Sequence, residues 1–176
     1  LRKHYLQLLL VHPNARETKD AETLLWMQTS YAFISSYKNR LALIDRAIKT
    51  NAKQPTEASK NHGPVEHHKW LQRFRQFLAE EEKFWIQFVL RMHRTFSVKE
   101  ADAALEALGL LSDAPANASN VFPPEDTNVQ APTPENSVLI ISKALICLGD
   151  IARYRELYNE SGGRPRAGEP VGVPAR

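Results

Sequence analysis

The chain has 176 residues and a mass of 20.0 kDa, with 43% hydrophobic residues, 24% charged residues and a net charge of +3. This composition is that of one ordinary globular domain, and the basic excess is too small to imply nucleic-acid binding by the surface as a whole. The one cysteine, Cys147, excludes an internal disulfide and favours a reducing compartment. Neither a secretory signal nor an apolar run of membrane-spanning length is present. The start at Leu1 indicates an excerpt of a longer protein.

The N-terminal third predicts two helices. Leu1–Val11 clusters apolar residues on one side, and we expect His12-Pro13-Asn14 to end it because proline disfavours helix in the preceding residue. Thr18 or Asp20 is the expected N-cap of a second, single helix that runs to about Thr50 without an internal Gly or Pro. Its apolar stripe recurs at steps of three and four residues: Trp26, Ser30, Phe33, Tyr37, Leu41, Ile44 and Ile48.

A polar break, Asn51–Gly63, precedes the strongest helical pattern of the chain, with Pro64 expected at its first position. Glu81 lies inside the apolar face of this helix. A carboxylate there needs a partner, so we expect it either to pair with an arginine, Arg153 being the leading candidate, or to reach water at the margin. The face is wide enough for two neighbouring helices: Trp70, Phe74, Phe77, Leu78, Phe84, Trp85, Phe88, Val89 and Met92.

The second half predicts two more helices around an irregular region. Ser97–Glu100 has the capping-box pattern and starts a short helix that closes near Gly109. Residues 112–136 contain five prolines and no periodicity, which predicts a flexible insertion. Asn136 or Ser137 is expected to cap the last helix, Val138–Tyr158, and residues 159–176 form a disordered Gly/Pro/Arg tail, interpreted as a tether although its arginines could touch RNA. The chain is therefore an all-α antiparallel helical array, either a bundle or a superhelix of helix pairs.

The most informative stretch is Ile146–Tyr158, ICLGDIARYRELY. Gly149 has no side chain, and we expect it to let a neighbouring helix come close. Arg153 follows four residues later on the same helix. An arginine that a packed helix holds in place is pre-organised to grip a carboxylate or a phosphate bidentately. The alternative is an ordinary salt-bridged helix end.

Signatures of catalysis are absent from the sequence. It contains no Walker loop, no dinucleotide fingerprint and no nucleophile elbow. His67 and His68 are neighbours on a predicted helix and point in different directions, which makes them a poor metal pair. We therefore expect no enzyme, no cofactor and no metal site.

The segment Cys147–Glu156, CLGDIARYRE, resembles the signature of the family that joins the telomerase-activating Ever Shorter Telomeres proteins to the adaptors of nonsense-mediated mRNA decay. Leu25-Trp26, followed by Ile34, is similar to the leucine-tryptophan helix of that family. The aromatic helix Trp70–Met92 and the proline-rich loop before the signature also fit. The resemblance covers nearly the whole chain.

This resemblance implies a 14-3-3-like domain completed by tetratricopeptide-like helix pairs, which we expect after Tyr158. It implies nuclear and cytoplasmic location. The decay adaptors bind phosphoserine on a helicase through the arginine of the signature, here Arg153, and a lysine of the leucine-tryptophan helix. That lysine position falls on Tyr31, whose hydroxyl supplies a hydrogen bond without charge. Lys38 lies further along and is expected at a different level of the bundle.

Three functions remain open from the sequence. The first is an adaptor for phosphorylated proteins in mRNA decay or telomere maintenance, with Arg153 as the phosphate anchor, Arg155, Lys38 and Tyr31 as helpers and Glu81 behind them. The second is a telomerase-associated subunit that contacts telomerase RNA or single-stranded DNA, which predicts a steep dependence of affinity on salt. The third is a scaffold whose exposed apolar edge docks further helix pairs.

Overall fold

The computed structural model describes residues 1–51, 62–111, 122–123 and 132–159. Every regular element in these ranges is helical, so the predicted all-α class is confirmed. A π-helical segment, Trp26–Tyr31, joins the second α-helix to the third, and two single turns of 3-10 helix cover Arg16–Thr18 and Lys99–Ala101. The α-helices are α1 (Arg2–Val11), α2 (Ala21–Leu25), α3 (Ala32–Asn51), α4 (His62–Phe96), α5 (Asp102–Ala107) and α6 (Pro134–Leu157).

The first two predicted helices are present with one change. Helix α1 ends at His12 as expected, and helical backbone then runs without a break from Ala21 to Asn51. Asp20, one of the two expected N-caps, stands at the cap position, but its backbone has φ 61° and its side chain makes no cap hydrogen bond. The π-helical segment has no counterpart in the sequence pattern. π-Helical turns are rare and frequently lie at functional sites.

The start of α4 lies two residues before the predicted one. The helix begins at His62, which places Pro64 at its third position instead of its first. Proline is tolerated there because the backbone N–H groups of the first turn have no acceptor within the helix. The wide apolar face packs against both α3 and α6, as the breadth of the stripe indicated.

The predicted capping box at Ser97 is wrong. Ser97 has a positive φ of 50° and lies in the turn after α4, and α5 follows a 3-10 turn without any side-chain cap bond. The predicted end of this helix is close to the observed one. Gly109 has φ 70°, a left-handed conformation that glycine adopts without steric cost and that commonly ends helices.

Helix α6 starts four residues earlier than predicted. Pro134 is its first residue and Thr133 its N-cap, whose hydroxyl accepts a hydrogen bond from the backbone N–H of Asn136 at 3.4 Å. The caps expected at Asn136 and Ser137 are therefore wrong, because proline at the first helical position pre-sets the backbone for an earlier start. The remainder of the predicted insertion, apart from Phe122, Pro123 and 132–133, and the predicted tail from 160 onward lie outside the described residues.

Helices α3, α4 and α6 pack as an antiparallel array with α4 in the middle. Phe33 contacts Phe77 while Tyr37 stacks on Phe74, so α3 and α4 run in opposite directions. Helix α1 closes one end of the core with Leu6 and Leu9, each fully buried. A buried side chain of this size contributes about 1.5–3 kcal/mol through the hydrophobic effect. The largest fully buried side chains include Trp85, Phe74, Phe88, Leu25, Ile34, Leu78, Met92, Leu105, Ile141 and Ile151.

Candidate functional site

The signature stretch forms the last turns of α6. Ile151 and Tyr154 are buried, and they fix this part of the helix against the core. Successive helical residues are about 100° apart around the axis, so Arg153 and Arg155 project on opposite sides of Tyr154. The two arginines consequently face different neighbouring helices.

Lys38 of α3 and Arg153 of α6 both lie beside the ring of Tyr154. The Lys38 ammonium lies 5.0 Å from the ring centre and the Arg153 guanidinium carbon lies 5.3 Å from it. The two cations are therefore at most about 10 Å apart, the sum of the two distances. Both distances fall within the range of cation–π contacts. Lys38 lies about two turns beyond Tyr31, at a different level of the bundle as expected, and Arg153 lies at that level too.

The guanidinium of Arg153 is accessible and lightly engaged. Its side chain is 61% exposed and donates one hydrogen bond of 3.0 Å to Asp150, one turn earlier on α6. An exposed pair of this kind contributes about 0–1 kcal/mol, so an anion with more charge can take its place. Arg153 is neither sealed in the core nor joined to a buried carboxylate.

Gly149 lies one turn before Arg153 and is exposed. A Cβ atom at this position would meet nothing within 4 Å. The prediction that Gly149 allows close packing of another helix is therefore wrong. The glycine leaves the backbone of α6 open to solvent one turn before Arg153.

Arg155 takes part in a different contact. It forms an ion pair with Glu82 of α4, and both line a cavity of about 360 Å³ at the end of α6. Arg75 also lines this cavity and donates a hydrogen bond to the carbonyl of Tyr158. Two carboxylates, Glu82 and Glu156, balance the two arginines, so the cavity has no excess of positive charge. The structure does not bring Arg155 together with Lys38 and Arg153.

Tyr31 is the last residue of the π-helical segment and is 37% exposed. Its ring lies 6.3 Å from the ring of Trp26. Seven residues separate it from Lys38, which corresponds to about 10 Å along an α-helix. Tyr31 therefore lies on the same helical rod as Lys38 but about two turns away from it.

Glu81 pairs with an arginine, but not with the predicted one. Arg2 of α1 donates to both of its carboxylate oxygens at 2.8 Å, while Ser30 donates to one of them at 2.6 Å. The Ser30 hydroxyl in turn accepts a hydrogen bond of 2.9 Å from the indole N–H of Trp85. The predicted pair with Arg153 is wrong, because Arg2 of α1 binds this carboxylate while Arg153 binds Asp150 on its own helix. The network holds the π-helical segment, and with it the start of α3, against α4.

The sequence interpretation missed Arg2 entirely. Its guanidinium also lies 4.1 Å from the centre of the Phe84 ring. Only its position near the start of an amphipathic helix could have marked it, and that signal is common to many surface arginines. Glu22, in the first turn of α2, also belongs to the residues that the sequence interpretation did not single out. It is buried and forms an ion pair with Lys143, which ties α2 to α6.

The described residues contain no group of three or more His, Cys, Asp or Glu side chains placed to hold a metal ion. Burial of the Cys147 side chain, and then the charge of Asp150, raise the pKa of the thiol to about 12. A thiol with such a pKa is protonated near neutral pH and makes a weak nucleophile. Within the same ranges, none of the helices is both long enough and apolar enough to span a bilayer.

The amino-acid sequence of the chain matches the model of a known protein family. The model of the family described as telomerase activating protein Est1 matches residues 20–159, which is most of the chain. The matched range includes the π-helical segment, Lys38 and the whole of α6. No curated protein and no solved structure gives a significant match.

Proposed function

Because this chain belongs to the Est1 family of telomerase-activating proteins, we propose that it is a non-enzymatic adaptor domain that binds a phosphorylated partner protein. The phosphate binds between Lys38 and Arg153, beside the ring of Tyr154. The observation that carries the proposal is that these two cations, which come from different helices, both lie beside one buried ring.

Charge supports a phosphate ligand at this position. Asp150 pairs with Arg153, so the three side chains Lys38, Arg153 and Asp150 together carry a net charge of about +1. A phosphoserine carries a charge of about −1.5 to −2 at neutral pH and offers three acceptor oxygens. It therefore competes well with Asp150 for the planar, multiply donating guanidinium of Arg153.

Rigidity also supports binding at this position. Tyr154 is 7% exposed, and the neighbouring Ile151 is fully buried, so the backbone that presents Arg153 cannot move without disturbing the core. Lys38 is half-buried, and its position follows from α3, whose Tyr37 stacks on Phe74 of α4. Less conformational entropy is lost on binding when the groups are already held in place.

The family lysine has no basic counterpart at its aligned position, which holds Tyr31. In the proposal Lys38 supplies that charge instead, from two turns further along the same helical rod. Tyr31 and its neighbour Trp26 then contact the partner chain beyond the phosphate, and Arg155 takes no direct part because Glu82 binds it.

The test uses two short peptides, acetyl-Gly-Ser-Gly-amide and the same peptide with phosphoserine, titrated into the chain and followed by NMR chemical shifts. We expect only the phosphopeptide to shift the amide signals of Gly149 and Arg153. Arg153→Glu and Lys38→Glu should each weaken this binding by at least tenfold, which equals about 1.4 kcal/mol. Lys49→Glu is the matched control, since it makes the same change of charge at an exposed position of α3.

Equal binding of both peptides, or unchanged binding in Arg153→Glu, would contradict the proposal. Contact with telomerase RNA or single-stranded DNA is the other function that the family suggests. Tight binding of an oligonucleotide that falls steeply with salt and is lost in both variants would assign the two cations to nucleic acid instead. The core rings of Phe74, Trp85 and Phe88 are buried and unavailable for base stacking, so base stacking would depend on exposed rings such as Phe33.

A further inference from the structure

Phe122 and Pro123 lie against α4, although they are the only residues described between 111 and 132. The ring of Phe122 stacks on the ring of Phe84, with centres 5.6 Å apart and planes 22° apart. Arg91 donates a hydrogen bond of 3.1 Å to the carbonyl of Pro123. Two consecutive residues are thus held by one aromatic contact and one charged hydrogen bond.

The surface that holds them is built from well-fixed groups. Phe84 is 6% exposed and Arg91 is 9% exposed. They are seven residues apart on α4, so they share one face of the helix. Long helical side chains lean towards the N-terminus, which brings the head of Arg91 back towards Phe84. Arg2 covers another part of the Phe84 ring and fixes its position.

The contacts match the chemistry of an aromatic-proline segment. Proline has no backbone N–H, so such a segment offers carbonyl oxygens and needs donors from its binding site. Proline also fixes its own φ and restricts the residue before it, which lowers the entropy lost on binding. An aromatic surface with a nearby hydrogen-bond donor is the usual way in which proteins recognise segments of this kind.

We propose that Phe84 and Arg91 form a docking site for a Phe-Pro segment. The chain fills the site with its own Phe122-Pro123, and a partner protein that carries the same dipeptide in an exposed segment binds there by displacing it. Neither Phe84 nor Arg91 belongs to the proposed phosphate site, which consists of Lys38, Arg153 and Tyr154. Binding at the docking site is therefore independent of phosphate binding. Because a tethered segment has an effective concentration of about millimolar, a free competitor binds weakly until the internal segment is removed.

The test uses a synthetic peptide with the sequence SNVFPPEDT, residues 119–127 of this chain. It is titrated into the full chain and into a variant that carries both Phe122→Ser and Pro123→Ser. The readout is the NMR signal of the Trp85 indole, whose ring lies 5.6 Å from Phe84. We expect saturable binding to the variant and at least tenfold weaker binding to the unmodified chain. The control peptide, with Ala in place of its Phe, should bind to neither.

Two results would overturn the proposal. The first is a folded variant that does not bind the peptide, or binds the Ala peptide equally well. The second is a variant that fails to fold, together with a Phe122→Ala chain that also fails to fold. Phe122 would then be an integral part of the core and not an exchangeable ligand.

Discussion

Arg2 of α1 donates hydrogen bonds to both carboxylate oxygens of Glu81 on α4, 79 residues later in the chain. The Glu81 side chain is 5% exposed and the Arg2 side chain 26%. Removal of the arginine leaves a buried carboxylate with Ser30 as its remaining partner in this network. We expect Arg2→Ala to lower the free energy of unfolding by about 3 kcal/mol, the lower end for a broken buried pair. Urea denaturation measures this change.

Arg153→Ala is the matched control for this prediction. Its pair with Asp150 is exposed and lies within one helix, so we expect a change within about 0.5 kcal/mol. Equal losses in the two variants would contradict the assignment of Arg2 as the partner that stabilises Glu81.

Ser30 connects two buried polar groups. Its hydroxyl donates to Glu81 and accepts from the indole N–H of Trp85. Ser30→Ala removes both bonds at once, and we expect a loss of about 1–3 kcal/mol because the indole N–H loses its acceptor. Ser36→Ala, an exposed position on α3, should change stability by less than about 0.5 kcal/mol. Thermal unfolding of both variants side by side decides the matter, and similar melting temperatures would refute this role of Ser30.

Gly149 is an exposed glycine in the interior of α6, with open space where a Cβ would lie. We expect Gly149→Ala to raise the free energy of unfolding by about 0.5–1 kcal/mol, the difference in helix propensity. Gly63→Ala is the contrast, because its Cβ would lie 2.8 Å from Cγ1 of Ile48. Calorimetric melting should show a higher melting temperature for Gly149→Ala than for Gly63→Ala. The reverse order would mean that the environment of Gly149 is not open.

The Cys147 thiol should be slow to react. Burial raises its pKa from 9.0 to about 12, with a contribution from Asp150. The folded chain therefore holds the proton more tightly than the unfolded chain, and thiolate forms in quantity only as the pH rises towards 12. We expect alkylation by iodoacetamide at pH 8 to be at least a hundredfold slower in the folded chain than in urea. Equal rates in the two conditions would show that the thiol is not shielded.

Helix positions could be read from the sequence because they depend on local periodicity. The stripes around Trp26 and Trp85 predicted the two long helices and their contact faces. The starts of α4 and α6 were missed by two and four residues, since Pro64 and Pro134 are each compatible with more than one first-turn position. The π-helical segment left no trace in the pattern, because the apolar spacing continues through it.

The arrangement of residues in the candidate site was harder to predict from the sequence than the helices were. Arg153 was found because a signature and a packed helix both point to it. Its proximity to Lys38 depends on how far α3 and α6 are shifted along each other, and the partner of Glu81 depends on where α1 folds back. Both are properties of the tertiary arrangement, which no local pattern contains.

The π-helical segment determines how the side chains at the two ends of the helical stretch Ala21–Asn51 are rotated about the helix axis relative to each other. A π-turn accommodates one residue more than an α-turn, and one residue of α-helix corresponds to a rotation of about 100°. With this rotation in place, Glu22 contacts Lys143 and Ser30 contacts Glu81 in the same structure. We therefore expect deletion of the exposed Met27 to rotate α2 relative to α3 about the helix axis. The chain would then lose either the Glu22–Lys143 contact or the Ser30–Glu81 contact, and Lys38 would face a different direction relative to α2.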